Sequence, residues 1–115
     1  MLNGASLTMP YLEPFLIATL REAAGAIDDP AILEEVAGFV GQEGQHFRTH
    51  RRYNDLLKKN GYPELAEVED AMKRSYDRIR STRSLAFRLA YAAGFESMTL
   101  GVTKWLVEDL SLIHI

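Results

Sequence analysis

From Ala31 to Asn60 the chain runs without a Gly-Pro break, between a strong helix-restart signal, Asp28-Asp29-Pro30, and Gly61, whose lack of a Cβ suits a left-handed residue just past a helix end. A helix this long in so short a chain needs other helices beside it, and the flanking segments read the same way. A first helix is expected from an N-cap at Thr8 to about Ala26, with Pro10 tolerated in its first turn and Pro14 early enough to survive or to kink it. A polar third helix follows from Pro63 to about Arg80, a break falls at Ser81 to Ser84, and a long apolar helix spans Leu85 to about Leu110. No strand-like alternation, repeat or low-complexity tract is present. The fold class expected is all-α, a helical bundle.

With 115 residues, 47% of them hydrophobic, the chain has material for one domain with a real core. It holds no cysteine, which removes disulfides, thiolate metal sites and cysteine nucleophiles together and fits a reducing compartment. No apolar run reaches the roughly eighteen residues of a membrane span, and the N-terminus lacks the order of a secretory signal. A cytoplasmic location without a membrane span is therefore expected. The net charge of -3 argues against nucleic acid. Most basic residues lie between Arg48 and Arg88, interleaved with Asp55, Glu64, Glu67, Glu69, Asp70 and Asp77, a pattern read as a solvated face of mixed sign.

Three helices carry apolar stripes at alternating spacings of four and three, and each stripe contains a carboxylate. The first reads Glu13, Ile17, Leu20, Ala24, Ile27. The second reads Val36, Val40, Glu43, Phe47, His50, Asn54, Leu57, with His46 on the same side. The last reads Leu85, Leu89, Ala92, Glu96, Thr99, Thr103, Leu106, Leu110. A second apolar stripe there, Tyr91, Phe95, Met98, Val102 and Trp105, predicts burial on two sides. An ionised carboxylate without a partner costs several kcal/mol in such a seam. A divalent cation resolves all three at once, because it takes oxygen and imidazole ligands as a set.

Register supports the same conclusion. In a hairpin turning near Asp28 and Asp29, Glu13 and the pair Glu43 and His46 meet at one height, about 23 Å from the turn at 1.5 Å per residue. Glu43 and His46, spaced i and i+3, face the same way. Two of the acids also have plainer readings: Glu13 as a first-turn residue favoured by the helix dipole, Glu96 as a partner of Arg88 or another cation. His50 is either a third nitrogen ligand, a group that orients one, or a hydrogen-bonded core histidine. Tyr53 and Asn54 read as packing and hydrogen-bonding residues. The candidate ligands are Glu13, Glu43, His46, Glu96 and His50, for a divalent metal with iron first and manganese or zinc as alternatives.

The segments PYLEPFLIATLREA, FVGQEGQHFRTHRRYN and LAYAAGFESMT resemble a bacterial family catalogued as predicted metal-dependent hydrolases, over about Leu2 to Asp109. In ferritin-like carboxylate proteins a Glu comes from each of two helices and a Glu-x-x-His from each of two others. Glu13, Glu43 with His46, and Glu96 resemble the first three of these contributions in chain order. The family continues into a helix bearing W-H-x-x-E-E-x-E-H, which has no counterpart here. The resemblance therefore implies a ferritin-like bundle lacking its last metal-binding helix, with 1-109 as an incomplete metal-binding domain and 110-115 as a tail. That tail, LSLIHI, looks like a translated sequencing adapter, which leaves His114 without a role. Such a fragment is expected to bind one metal weakly or none, to be inactive by itself, and to expose an apolar groove through which it could form a homodimer.

Two chemistries suit the complete site. Dioxygen activation at two irons or manganeses follows from the carboxylate-rich ligands and is the first expectation, while the family label points to hydrolysis by a metal-activated water. In either case the substrate is a small molecule of unspecified identity. A helical interaction module without catalysis, its acids neutralised by Arg88 or other cations, is the third reading.

Overall fold

The computed structural model describes residues 2-108, four helices in the order α1 (Leu2–Ala24), α2 (Pro30–Lys59), α3 (Leu65–Thr82) and α4 (Leu85–Glu108). The architecture is an all-α bundle, and no strand occurs among the described residues. Leu110, His114 and the segment 110-115 lie outside the described residues, as does the side chain of Leu106.

Local signals set most helix ends. Asp29 caps α2 by accepting from the Ala31 N–H at 2.9 Å, and Pro30 opens the helix where its missing N–H has no intrahelical partner to lose. Asn60 closes α2, and Gly61 follows at φ +110, a backbone state that disfavours any side chain. Ser84 stands at the start of α4 and accepts from the Phe87 N–H at 3.2 Å. The start of α1 differs from expectation. The helix begins at Leu2, so Thr8 is no cap and both Pro10 and Pro14 lie inside it. Each interior proline forgoes a bond to the carbonyl four residues back. Tertiary packing outweighs this cost, because α1 is the axis of the bundle and makes the main contacts with all three other helices.

The central position also relocates the core. Leu12, Phe15, Leu16 and Thr19 are buried on α1, whereas Ile17, Leu20, Ala24 and Ile27 of the expected stripe are half-buried. A helix packed on several sides has no single seam. Phe15 meets Tyr76 of α3 and Tyr91 of α4 at ring-centroid distances of 5.5 and 5.6 Å, and the two tyrosine hydroxyls lie 3.2 Å apart. Each of these large apolar side chains adds about 2 kcal/mol by burial. On α2 Glu43 and Asn54 are buried and the other members of the expected stripe half-buried, but His46, expected on the same side, is exposed.

The second stripe of α4 does not behave as expected. Met98, Val102 and Trp105 are more than half exposed, as are Leu100 and Val107. Helix α4 packs mainly on α1, through Tyr91, Ala92 and Phe95 in its first half, so an apolar second half has little to cover it. No described helix is long and apolar enough to cross a membrane.

Candidate metal centre

Helices α1 and α2 form an antiparallel hairpin: Ser6 meets Asn54, and Glu13, further along α1, meets His46, further back along α2. This register brings Glu13 Oε1 to 3.3 Å from His46 Nδ1. One turn on, the ring of His50 lies with its centroid 5.5 Å from that of His46. Ligand atoms of Glu13, His46 and His50 all lie within 4.8 Å of one another. Two ligands of one ion at 2.0–2.2 Å stand roughly 3–4 Å apart, so small side-chain rotations close the set on a single cation.

A cavity of about 410 Å³ opens onto these groups, and Glu43 and Glu96 line it with them. Glu96 of α4 is half-buried and contributes to the same field, though it and Glu43 stand outside the tight group of three. Glu13 lies mid-helix once α1 begins at Leu2, which removes its reading as a first-turn residue. Glu96 has no ion pair with Arg88 or with another cation among the described residues. Arg88 is taken by Glu22, to which it donates at 2.8 and 3.1 Å, and this pairing holds the Glu22 carboxyl below its usual range.

The electrostatics are those of an anionic site short of a cation. The Glu13 side chain is 2% exposed, and its Oε2 has no hydrogen-bond partner among the described residues. Burial, then the nearby charges of Glu43 and Glu96, push its pKa up to about 8. Burial, then Glu96, raise Glu43 too, and His46 opposes them. Burial first and His46 second depress His50, which favours its neutral, metal-ligating form. The orphaned Oε2, mutually raised acids and neutral imidazole fit a divalent ion in this cavity.

His50 is further defined by a buried polar chain. Asn54 Nδ2 donates to the Ser6 carbonyl at 2.9 Å and to Glu69 Oε1 at 3.2 Å. Neither oxygen donates here, one being a backbone carbonyl and the other a carboxylate oxygen of the Lys58–Glu69 ion pair, so the amide orientation is fixed and Asn54 Oδ1 must face the Ser6 hydroxyl. Ser6 spends its one proton on Oδ1 at 2.8 Å. It can then only accept from His50 Nδ1 at 2.9 Å, which places the ring proton on Nδ1 and leaves Nε2 with the free lone pair. Nitrogen-15 spectra of the metal-free protein near pH 8 should therefore show a protonated Nδ1 and a bare Nε2 at His50, and Ser6→Ala should erase that bias. The opposite tautomer in the wild type would refute the assignment.

Ser6 belongs to no stripe, and Glu69, expected on the solvated face, is 4% exposed. A local signal did exist for Ser6. Pro10, four residues on, cannot bond its carbonyl, so that oxygen had to find a partner elsewhere.

The model of a family described as "Predicted metal-dependent hydrolase" matches residues 1-114. Searches of curated proteins and of solved structures return no significant match.

Proposed function

Since the chain belongs to the predicted metal-dependent hydrolase family, we propose that Glu13, His46 and His50 hold a divalent metal ion and that the full site hydrolyses a small-molecule substrate. The observation that carries this reading is the convergence of one buried carboxylate and two imidazoles on a cavity with further acids in its wall. A bound divalent ion supplies Lewis acidity, lowering the pKa of water and polarising the substrate. Glu43 then acts as the base. Its carboxylate lies in the same cavity, and its raised pKa moves it toward the working range of a proton acceptor near neutral pH. Glu96 adds negative charge that favours the cation, and Ser6 with Asn54 keeps the His50 Nε2 lone pair available.

Dioxygen chemistry at a two-metal, ferritin-like site is the second reading. The richness in carboxylates favours it, with Glu43 and Glu96 as additional ligands beyond the compact three. The tight group offers ligands for a single ion, which supports the hydrolytic reading over the two-metal one.

Metal content after loading with zinc or anaerobic iron distinguishes the readings. Against the weak binding and inactivity expected from the sequence, the compact group of three ligands leads to one ion per chain, with ester or amide turnover that Glu43→Ala abolishes, as the expected result. Two irons with an oxo-bridged absorption band would favour oxidation. A folded protein that takes up no metal, and is indifferent to Glu43→Ala, would eliminate both.

A further inference from the structure

On the flank of the α1–α2 pair that faces α3 lies a second cavity, of about 480 Å³, which shares no lining residue with the carboxylate cluster. Its size falls within the range of small-molecule sites. Four aromatic side chains form its walls: Tyr11 and Phe15 from α1, Phe47 from α2 and Tyr76 from α3. Pro10 and Pro14, one helical turn apart, add two pyrrolidine rings.

The charged groups that line the cavity are unbalanced, with the carboxylates of Glu22, Glu69 and Asp70 lying beyond the lining but within electrostatic reach of Arg80, Tyr11 and Lys73. Arg51, Lys73 and Arg80 line the cavity with Asp77 as the only acid, so a chain of net charge -3 concentrates three positive charges against one negative at this place. Asp77 is engaged by Lys73 at 2.6 Å. Neither Arg51 nor Arg80 has an ion-pair partner among the described residues. The guanidinium of Arg51 instead sits over the Phe47 ring, 5.8 Å from its centroid, which holds a cation at the aromatic wall. The half-buried Tyr11 brings a hydroxyl to the same lining.

We propose that this cavity binds an aromatic carboxylate, with its ring between the aromatic walls and its carboxylate on the guanidiniums of Arg51 and Arg80. A planar guanidinium recognises a carboxylate through two parallel hydrogen bonds and stacks on ring faces, so the same residues serve both halves of the ligand. A neutral ring leaves the two cations unanswered, and a cationic one is repelled by them. The site is independent of the metal reading and stands whether or not the carboxylate cluster binds an ion.

Calorimetric titration of the full chain with 2-naphthoate, 2-naphthylmethanol and 2-naphthylmethylammonium tests this directly. Naphthoate should bind at one site per chain at least tenfold more tightly than either analogue, with shift changes at Tyr11, Phe47 and Tyr76 in NMR spectra. The double variant Arg51→Gln, Arg80→Gln should weaken naphthoate at least tenfold. Both side chains are exposed and neither has an ion-pair partner among the described residues, so folding should persist, and circular dichroism checks it. The charge-matched pair Arg48→Gln, Arg78→Gln, outside the cavity, should leave affinity unchanged. Equal binding of the alcohol, equal loss in the control variant, or absence of naphthoate binding would overturn the proposal.

Discussion

Replacing Glu13 with glutamine should raise the stability of the metal-free chain at pH 9 and remove its metal binding, opposite effects from one atomic change. The Glu13 pKa stands at about 8 in the folded chain against 4.5 for the free side chain, through burial and the charges of Glu43 and Glu96. Below pH 4.5 the group is protonated in both states and costs nothing. Between 4.5 and 8 the unfolded chain ionises while the folded one holds its proton, so stability falls as pH rises, and above 8 the loss is complete. At 1.36 kcal/mol per unit the loss is on the order of 5 kcal/mol. Glutamine escapes it but brings amide atoms of its own into a dry site, which takes back about 1–3 kcal/mol. The net expectation is a gain of about 2–4 kcal/mol at pH 9 and a flatter profile between pH 5 and 9. Urea midpoints across that range measure it. With zinc at a thousandfold its dissociation constant the order should reverse, since the wild type alone gains about 4.1 kcal/mol. If glutamine destabilises the metal-free protein at every pH, Glu13 is already satisfied and the case for an absent cation falls with it.

The sequence made legible what rests on periodicity and local chemistry. Asp29, Pro30 and Gly61 mark the ends of α2 through capping and backbone preference, which need no tertiary information. The hairpin height that brings Glu13 to His46 follows from helical rise and a turn position. What stayed hidden depends on which helix lies at the centre. Two prolines argue against an early start for α1, and only its packing against three helices explains why it begins at Leu2 and buries Leu12, Phe15 and Leu16. The same cause misleads at Met98, Val102 and Trp105: an apolar stripe states that a face can be buried, not that a neighbour covers it. Of the site, the acids and imidazoles were readable because they interrupt apolar seams. The polar chain through Ser6 and Glu69 was not, because a buried Glu with a Lys partner looks in sequence like any pair on a solvated helix.

That chain makes Asn54 the costliest polar side chain to remove. It is fully buried, and Asn54→Ala should destabilise the protein by about 4 kcal/mol, combining a small cavity with three broken hydrogen bonds. The three losses are unequal. Glu69 keeps Lys58 and the Ser6 hydroxyl keeps His50, but the Ser6 carbonyl loses its Asn54 donor at a place where Pro10 has no N–H to replace it. A second substitution separates this cause from general loss of packing. Pro10→Ala restores an N–H at the position whose helical acceptor is the Ser6 carbonyl. In the wild type that oxygen already has Asn54, so the new donor adds a bond to a satisfied acceptor, whereas in Asn54→Ala it meets an orphan. Pro10→Ala should therefore stabilise the Asn54→Ala chain by about 1–2 kcal/mol more than it stabilises the wild type, a coupling that a double-mutant cycle in urea resolves. Additive effects within about 0.5 kcal/mol would mean that the carbonyl finds water or another donor when Asn54 is gone. A measured coupling would tie the unusual helix start to the candidate site, since the proline that frees the Ser6 carbonyl anchors the asparagine that orients the Ser6 hydroxyl, and through it the His50 ring.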